Sequence, residues 1–138
     1  MIGIVIVTHG QLGEALIGAA EFIIGRRPAA IESISIDLSE NAEKLRAKIA
    51  QGIKKVAGQE GVLILTDMFG GTPSNLSYSF LEEGRIEVIS GVNLPILIKA
   101  ADIQNKGMNL CEVAEHLEAY GKKSISLASG ILKGNKRE

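Results

Sequence analysis

Two short stretches carry the residue types that could do chemistry together. An apolar run, Ile2–Val7, ends in Thr8-His9-Gly10, and a second, Val62–Leu65, ends in Thr66-Asp67 followed by Met68-Phe69-Gly70-Gly71-Thr72-Pro73. Imidazole is nucleophilic near neutral pH, and a carboxylate hydrogen-bonded to one ring nitrogen fixes the tautomer and leaves the other nitrogen's lone pair free. His9 and Asp67 are the candidates for those two roles. Gly10, Gly70 and Gly71 would let backbone amides approach an anion closely, and Thr72 would add a hydroxyl donor. The set suits an imidazole that accepts an anionic group such as phosphoryl, with two helix starts nearby to stabilise the charge.

Residue types alone leave plainer readings open. A histidine at a strand end can be incidental, Asp67 could cap neighbouring amides, and Gly-Gly-Thr-Pro is also a common tight turn from strand to helix. His116, far from the strand ends, is assigned to surface or packing, and Cys111 to a small buried hydrophobe. A small hydrolase using Thr72 or Ser74 as nucleophile with His9 as base is a further reading. Neither a G-x-S-x-G elbow nor a P-loop is present to support ester or nucleotide hydrolysis.

For His9 and Asp67 to meet, their two runs must be neighbouring strands. Apolar, β-branched runs recur at Ile2–Val7, Ile31–Ile36, Val62–Leu65, Ile86–Ile89 and Ile125–Leu127, with helical patterns between them. That alternation predicts an α/β fold with an open, mainly parallel sheet and helices on both faces. The first and third runs are almost wholly apolar, as central strands covered on both sides are. Leu38, Ala42, Leu45, Ile49, Ile53 and Val56 step by three or four and draw the apolar stripe of one helix. Thr72 is expected to cap a helix that starts at Pro73 and is closed by Gly84. Asn109 and Glu112 form a capping-box pattern for a last helix, which Gly121 should end before a final strand. In such sheets the binding crevice lies beyond the carboxyl ends of the strands, where His9 and Asp67 fall.

The bulk numbers exclude other classes. The 138 residues make one domain, 1–138, with 46% hydrophobic and 22% charged residues and a formal net charge of −1. A nucleic-acid footprint is missing, because the basic residues form no patch except near the end. A single cysteine permits no internal disulfide and no thiol cluster for zinc, so a cytoplasmic location is expected. No apolar run reaches the ~18 residues a membrane span requires. The tail, 133–138, is expected to fray.

Three segments in this order, an amino-terminal strand ending Thr-His-Gly, then LTDMFGGTPSN, then ISGVNLPIL, resemble the mannose-type enzyme IIA domain of the bacterial phosphoenolpyruvate-dependent sugar phosphotransferase system. The likeness runs from Met1 to about Leu127. It implies a phosphotransferase acting as a phosphoryl carrier, with His9 as acceptor, Asp67 orienting it, and Thr72 with the amides of Gly10, Gly70 and Gly71 binding phosphate. It further implies phosphocarrier HPr as donor, an enzyme IIB as acceptor, no cofactor or metal, and contact with a membrane only through a transporter complex. A homodimer is implied as well, with an antiparallel last strand near Ser124–Ala128 exchanged between subunits. Phe69 stands where the family can carry tryptophan, and Gly91-Val92-Asn93-Leu94-Pro95 is assigned to the rim of the site. The alternative is a non-catalytic signalling module that binds a small anion or a regulated protein.

Overall fold

The chain, seen in a computed structural model that describes residues 1–133, lays four strands side by side. These are β1 (Gly3–His9), β2 (Ile31–Ile36), β3 (Val62–Thr66) and β4 (Ile86–Ser90), in the order β2-β1-β3-β4. Every pairing is parallel, with Ile4 opposite Ile31, Gly3 opposite Val62 and Val62 opposite Ile86. β1 and β3 are therefore the central strands, as their unbroken apolar sequences require.

Among the described residues there are six helices, α1 (Leu12–Ile24), α2 (Ala42–Val56), α3 (Thr72–Tyr78), α4 (Leu94–Ile103), α5 (Leu110–Lys123) and α6 (Ala128–Leu132), of which the first five contribute buried residues to the cores and α6 buries none. Side chains alternate across a strand, so β1 splits its apolar residues between two cores. Ile2, Ile4 and Ile6 pack with Ile17 of α1, Leu97 of α4 and Leu117 of α5. Val5 and Val7 pack with Leu45 and Ile49 of α2 and Leu76 of α3. From β1 the chain steps outward to β2 through α1, then back past β1 to β3 through α2. That reversal puts the switch point of the sheet between β1 and β3.

Several sequence expectations change here. Ile125–Leu127 form no strand: they run as an irregular segment from α5 into α6, so among the described residues the sheet has four parallel strands and no antiparallel fifth. A short β-branched run says only that a strand is possible, and these residues make no ladder with the β4 edge that they lie near. The expected exchange of that strand is withdrawn with it. Gly121 does not end α5, which continues to Lys123; a Cβ at Gly121 would lie 2.5 Å from Ile96 Cδ1, so this glycine is there to let α5 close on α4. Helix α3 stops at Tyr78, well before Gly84, and its N-cap is Gly71 rather than Thr72. Helix α4 was not expected; Asn93 caps it by accepting from Ile96 N at 2.9 Å, with Pro95 in its first turn. Cys111 is exposed, not buried. Of the tail, 134–138 lie outside the described residues.

Candidate functional site

Strand register delivers the site. Val7 pairs with Thr66, so both central strands run out together and His9 and Asp67 emerge side by side at the switch point. Continuing the alternation of Val5 and Val7, His9 points to the face that α3 covers. Asp67 Oδ2 accepts from the backbone N–H of His9 at 2.9 Å and lies 2.7 Å from its Nδ1. Asp67 Oδ1 accepts from Met68 N–H at 3.0 Å. The carboxylate is thus fixed at both oxygens, and in the neutral ring it favours the tautomer with the proton on Nδ1. In that tautomer Nε2 is the lone-pair nitrogen.

Burial and exposure divide unequally between the two. The Asp67 side chain is 9% exposed and the His9 side chain 39%. Burial pushes the Asp67 carboxyl up, but hydrogen bonds from the backbone and ring of His9, with the favourable charge interaction with that ring, outweigh it. The carboxyl is held below its ordinary value. An ionised, oriented carboxylate beneath a half-open imidazole is an arrangement for nucleophilic attack from solvent or from a docked partner.

The glycine turn supplies the wall. Gly70 adopts φ +84, and Gly71, at φ −86 and ψ 167, caps α3 in extended conformation. A Cβ at Gly71 would stand 3.0 Å from His9 Cε1 and 3.7 Å from Nε2. The backbone of Gly71 therefore lies against the reactive edge of the ring, which any side chain would narrow. Thr72 opens α3 and is half-buried, while Gly10, at φ +52, leads from His9 toward α1. The start of α1 is set by Thr8, whose buried Oγ1 accepts from Gly13 N at 2.8 Å.

Exposed apolar side chains lie on the same edge of the sheet. Leu12, Leu38, Met68 and Phe69 all follow strand carboxyl ends and are exposed, Phe69 to 77%. The Phe69 ring faces Tyr78, with centroids 6.2 Å apart. Two other sequence readings resolve. His116 is on the surface of α5, stacked on Tyr120. Ser74 is fully buried with its hydroxyl donated to Met68 O at 2.5 Å, so it is not an available hydrolytic nucleophile. Sequence reasoning missed the hydroxyl cluster of buried Thr66 and Ser74 with half-buried Ser90 and Tyr78 next to the site. The signal was there in part: Thr66 and Ser90 end neighbouring apolar strands.

The fold and the site together define an open α/β domain with a half-exposed histidine held by a carboxylate at its switch point. Comparison with known proteins narrows the class. Residues 3–118 match the family model described as the PTS system fructose IIA component. The fructose-specific EIIA component of Bacillus subtilis is 32% identical over 94% of this chain and 88% of its own length. The mannose-specific EIIAB component of Escherichia coli K12 is 38% identical over 71% of this chain, and the match spans 30% of that longer protein. In structure, the phosphotransferase system component EIIA from Streptococcus agalactiae superposes with a TM-score of 0.82, covering 94% of this chain and 98% of that one at 24% identity. The chain belongs to the EIIA family of the sugar phosphotransferase system, whose members are phosphoryl carriers in sugar uptake.

Proposed function

We propose that His9 Nε2 takes a phosphoryl group from phosphorylated HPr and passes it to an enzyme IIB. The observation that carries this reading is the 2.7 Å contact between His9 Nδ1 and Asp67, which in the neutral ring favours a lone pair on Nε2 beside the Gly70-Gly71 turn. In the forward step the Nε2 lone pair attacks phosphorus as the bond from phosphorus to the donor breaks. The proton stays on Nδ1, and the positive charge gained by the ring is met by the Asp67 carboxylate. The second transfer is the reverse displacement toward the IIB acceptor. Both are in-line exchanges that depend on positioning and charge stabilisation, and the chemistry proposed needs no cofactor.

The oxygens of the bound phosphoryl group are assigned to backbone amides at Gly10, Gly70 and Gly71 and to the Thr72 hydroxyl. This assignment rests on their place around His9 and on the absence of any side chain at Gly71 that would fill the space. HPr and IIB dock on Leu12, Leu38, Met68 and Phe69, exposed apolar side chains that follow the strand carboxyl ends at which His9 lies. We further propose a homodimer through the edge of β4, where a groove of about 610 Å³ is lined by Val88, Ile89, Ile96 and Ile125. An open edge bordered by apolar surface favours association with a second copy. The setting is the cytoplasm; no helix among the described residues is long and apolar enough to cross a membrane.

The test is label transfer from phosphorylated HPr. Wild-type chain should take up one acid-labile label and pass it to an enzyme IIB, whereas His9→Ala should take up none. Full labelling of His9→Ala would overturn the assignment.

A further inference from the structure

Helix α3 carries two serines that are equally buried, and each donates its hydroxyl to a backbone carbonyl, yet the two carbonyls lie in different places. Ser77 Oγ donates to Pro73 O at 2.6 Å, one turn back within α3. Ser74 Oγ donates to Met68 O at 2.5 Å, across the whole glycine turn. Both serines are 0% exposed. Of these two serine bonds, only that of Ser74 reaches the turn that carries Asp67.

The remaining contacts show how firmly that bond is held. Ser74 Oγ also lies 2.5 Å from Thr66 Oγ1 and 3.1 Å from Ser90 Oγ. Ser90 Oγ in turn lies 3.0 Å from Thr66 Oγ1 and 2.9 Å from Tyr78 Oη. A hydroxyl has one proton to give. Met68 O can only accept, so the Ser74 proton goes there and the other three hydroxyls turn to donate within the cluster. Met68 is then gripped on both sides: its N–H by Asp67 Oδ1 and its C=O by Ser74. Thr66 and Ser74 are fully buried and Ser90 and Tyr78 half-buried, and a hydroxyl network anchored in the interior in this way rigidifies what it touches.

We propose that Ser74 is a positioning residue for the transfer site: through the Met68 carbonyl it sets the 67–71 turn so that Asp67 meets His9 Nδ1 and Gly71 lies against Nε2. It touches neither the histidine nor the phosphoryl group. The effect on transfer rests on the reading of His9 as phosphoryl acceptor, but the effect on the ring does not. A looser Asp67 favours Nδ1–H less strongly, and the ring reverts toward the Nε2–H tautomer.

The experiment compares Ser74→Ala with Ser77→Ala in the full chain, by two readouts. Nitrogen-15 spectroscopy of the neutral His9 ring gives the ratio of Nδ1–H to Nε2–H forms, and label uptake from phosphorylated HPr gives the maximal rate and the half-saturating donor concentration. Ser74→Ala should lower the tautomer ratio and the maximal rate each about tenfold with the half-saturating concentration unchanged. Ser77→Ala should lower the melting temperature alone. Should Ser74→Ala fail to fold, Ser74→Cys retains the volume with a weaker donor and should lower the ratio by a smaller factor. A wild-type tautomer ratio in the folded Ser74 variant, or an equal fall in Ser77→Ala, would overturn the proposal. No label uptake by the wild-type chain would remove the acceptor reading, with the tautomer ratio still deciding the role of Ser74.

Discussion

At the scale of residues, the site is a division of labour between a buried carboxylate and a half-exposed ring. Asp67→Asn keeps the shape but removes the charge that faces His9 Nδ1 at 2.7 Å, and should slow label uptake on the order of 10²-fold, measured by rapid-quench labelling. The lowered Asp67 carboxyl also links to stability. Its folded value lies below the unfolded one, so its contribution is complete above the ordinary carboxylate range near ~3.9 and is lost as pH falls through the depressed folded value. Melting curves of wild type and Asp67→Asn should therefore differ most near neutral pH and converge in acid. Gly71→Ala gives a second check. The backbone of Gly71 suits alanine, so stability should hardly move, while a Cβ 3.0 Å from His9 Cε1 should slow transfer about tenfold. His9 and Asp67 were legible because strand ends in an α/β sheet converge by rule. The Ser74 bond was not, since nothing in the letters between Met68 and Ser74 tells which carbonyl a serine six residues on will reach.

At the scale of elements, the reciprocal capping box of α5 was readable, while the single-residue cap at Thr72 and the glycine stops were not. Asn109 and Glu112 form the reciprocal box their spacing announces, at 2.9 and 3.0 Å. Asn109→Ala should cost about 1 kcal/mol in chemical denaturation, with transfer unchanged. Gly121 was misread because a glycine late in a helical pattern signals a stop and close helix packing alike. Gly121→Ala distinguishes the two. Helix propensity would gain up to about 1 kcal/mol, but the added methyl meets Ile96 Cδ1 at 2.5 Å and Cγ1 at 2.8 Å in a full core, a cost of about 1–3 kcal/mol. Overpacking wins, so the variant should melt below wild type. Helix α4 escaped notice because its start, Asn93-Leu94-Pro95, was assigned to the rim of the site, although an asparagine two residues before proline is also a capping signal.

At the scale of the whole molecule, the sheet order β2-β1-β3-β4 is what turns two strand ends into a site, since a switch point exists only where the chain reverses direction. Strand order is not written in local patterns, but two unbroken apolar runs marked β1 and β3 as central, and that sufficed. The last segment shows the limit. Ile125–Leu127 has strand-like letters but lies outside the sheet of its own chain, exposed at 73% for Ile125 and 75% for Leu127. Sedimentation should find a dimer, and Leu127→Asp should shift it toward monomer if the β4 edge and this segment lie in the interface. The most direct test of the central claim is to phosphorylate nitrogen-15 histidine-labelled protein with phosphorylated HPr and read phosphorus–nitrogen coupling in the ring. The expected result is one phosphoryl group, on Nε2 of His9, with Nδ1 still protonated toward Asp67. Coupling to Nδ1, or label on any residue other than His9, would contradict it.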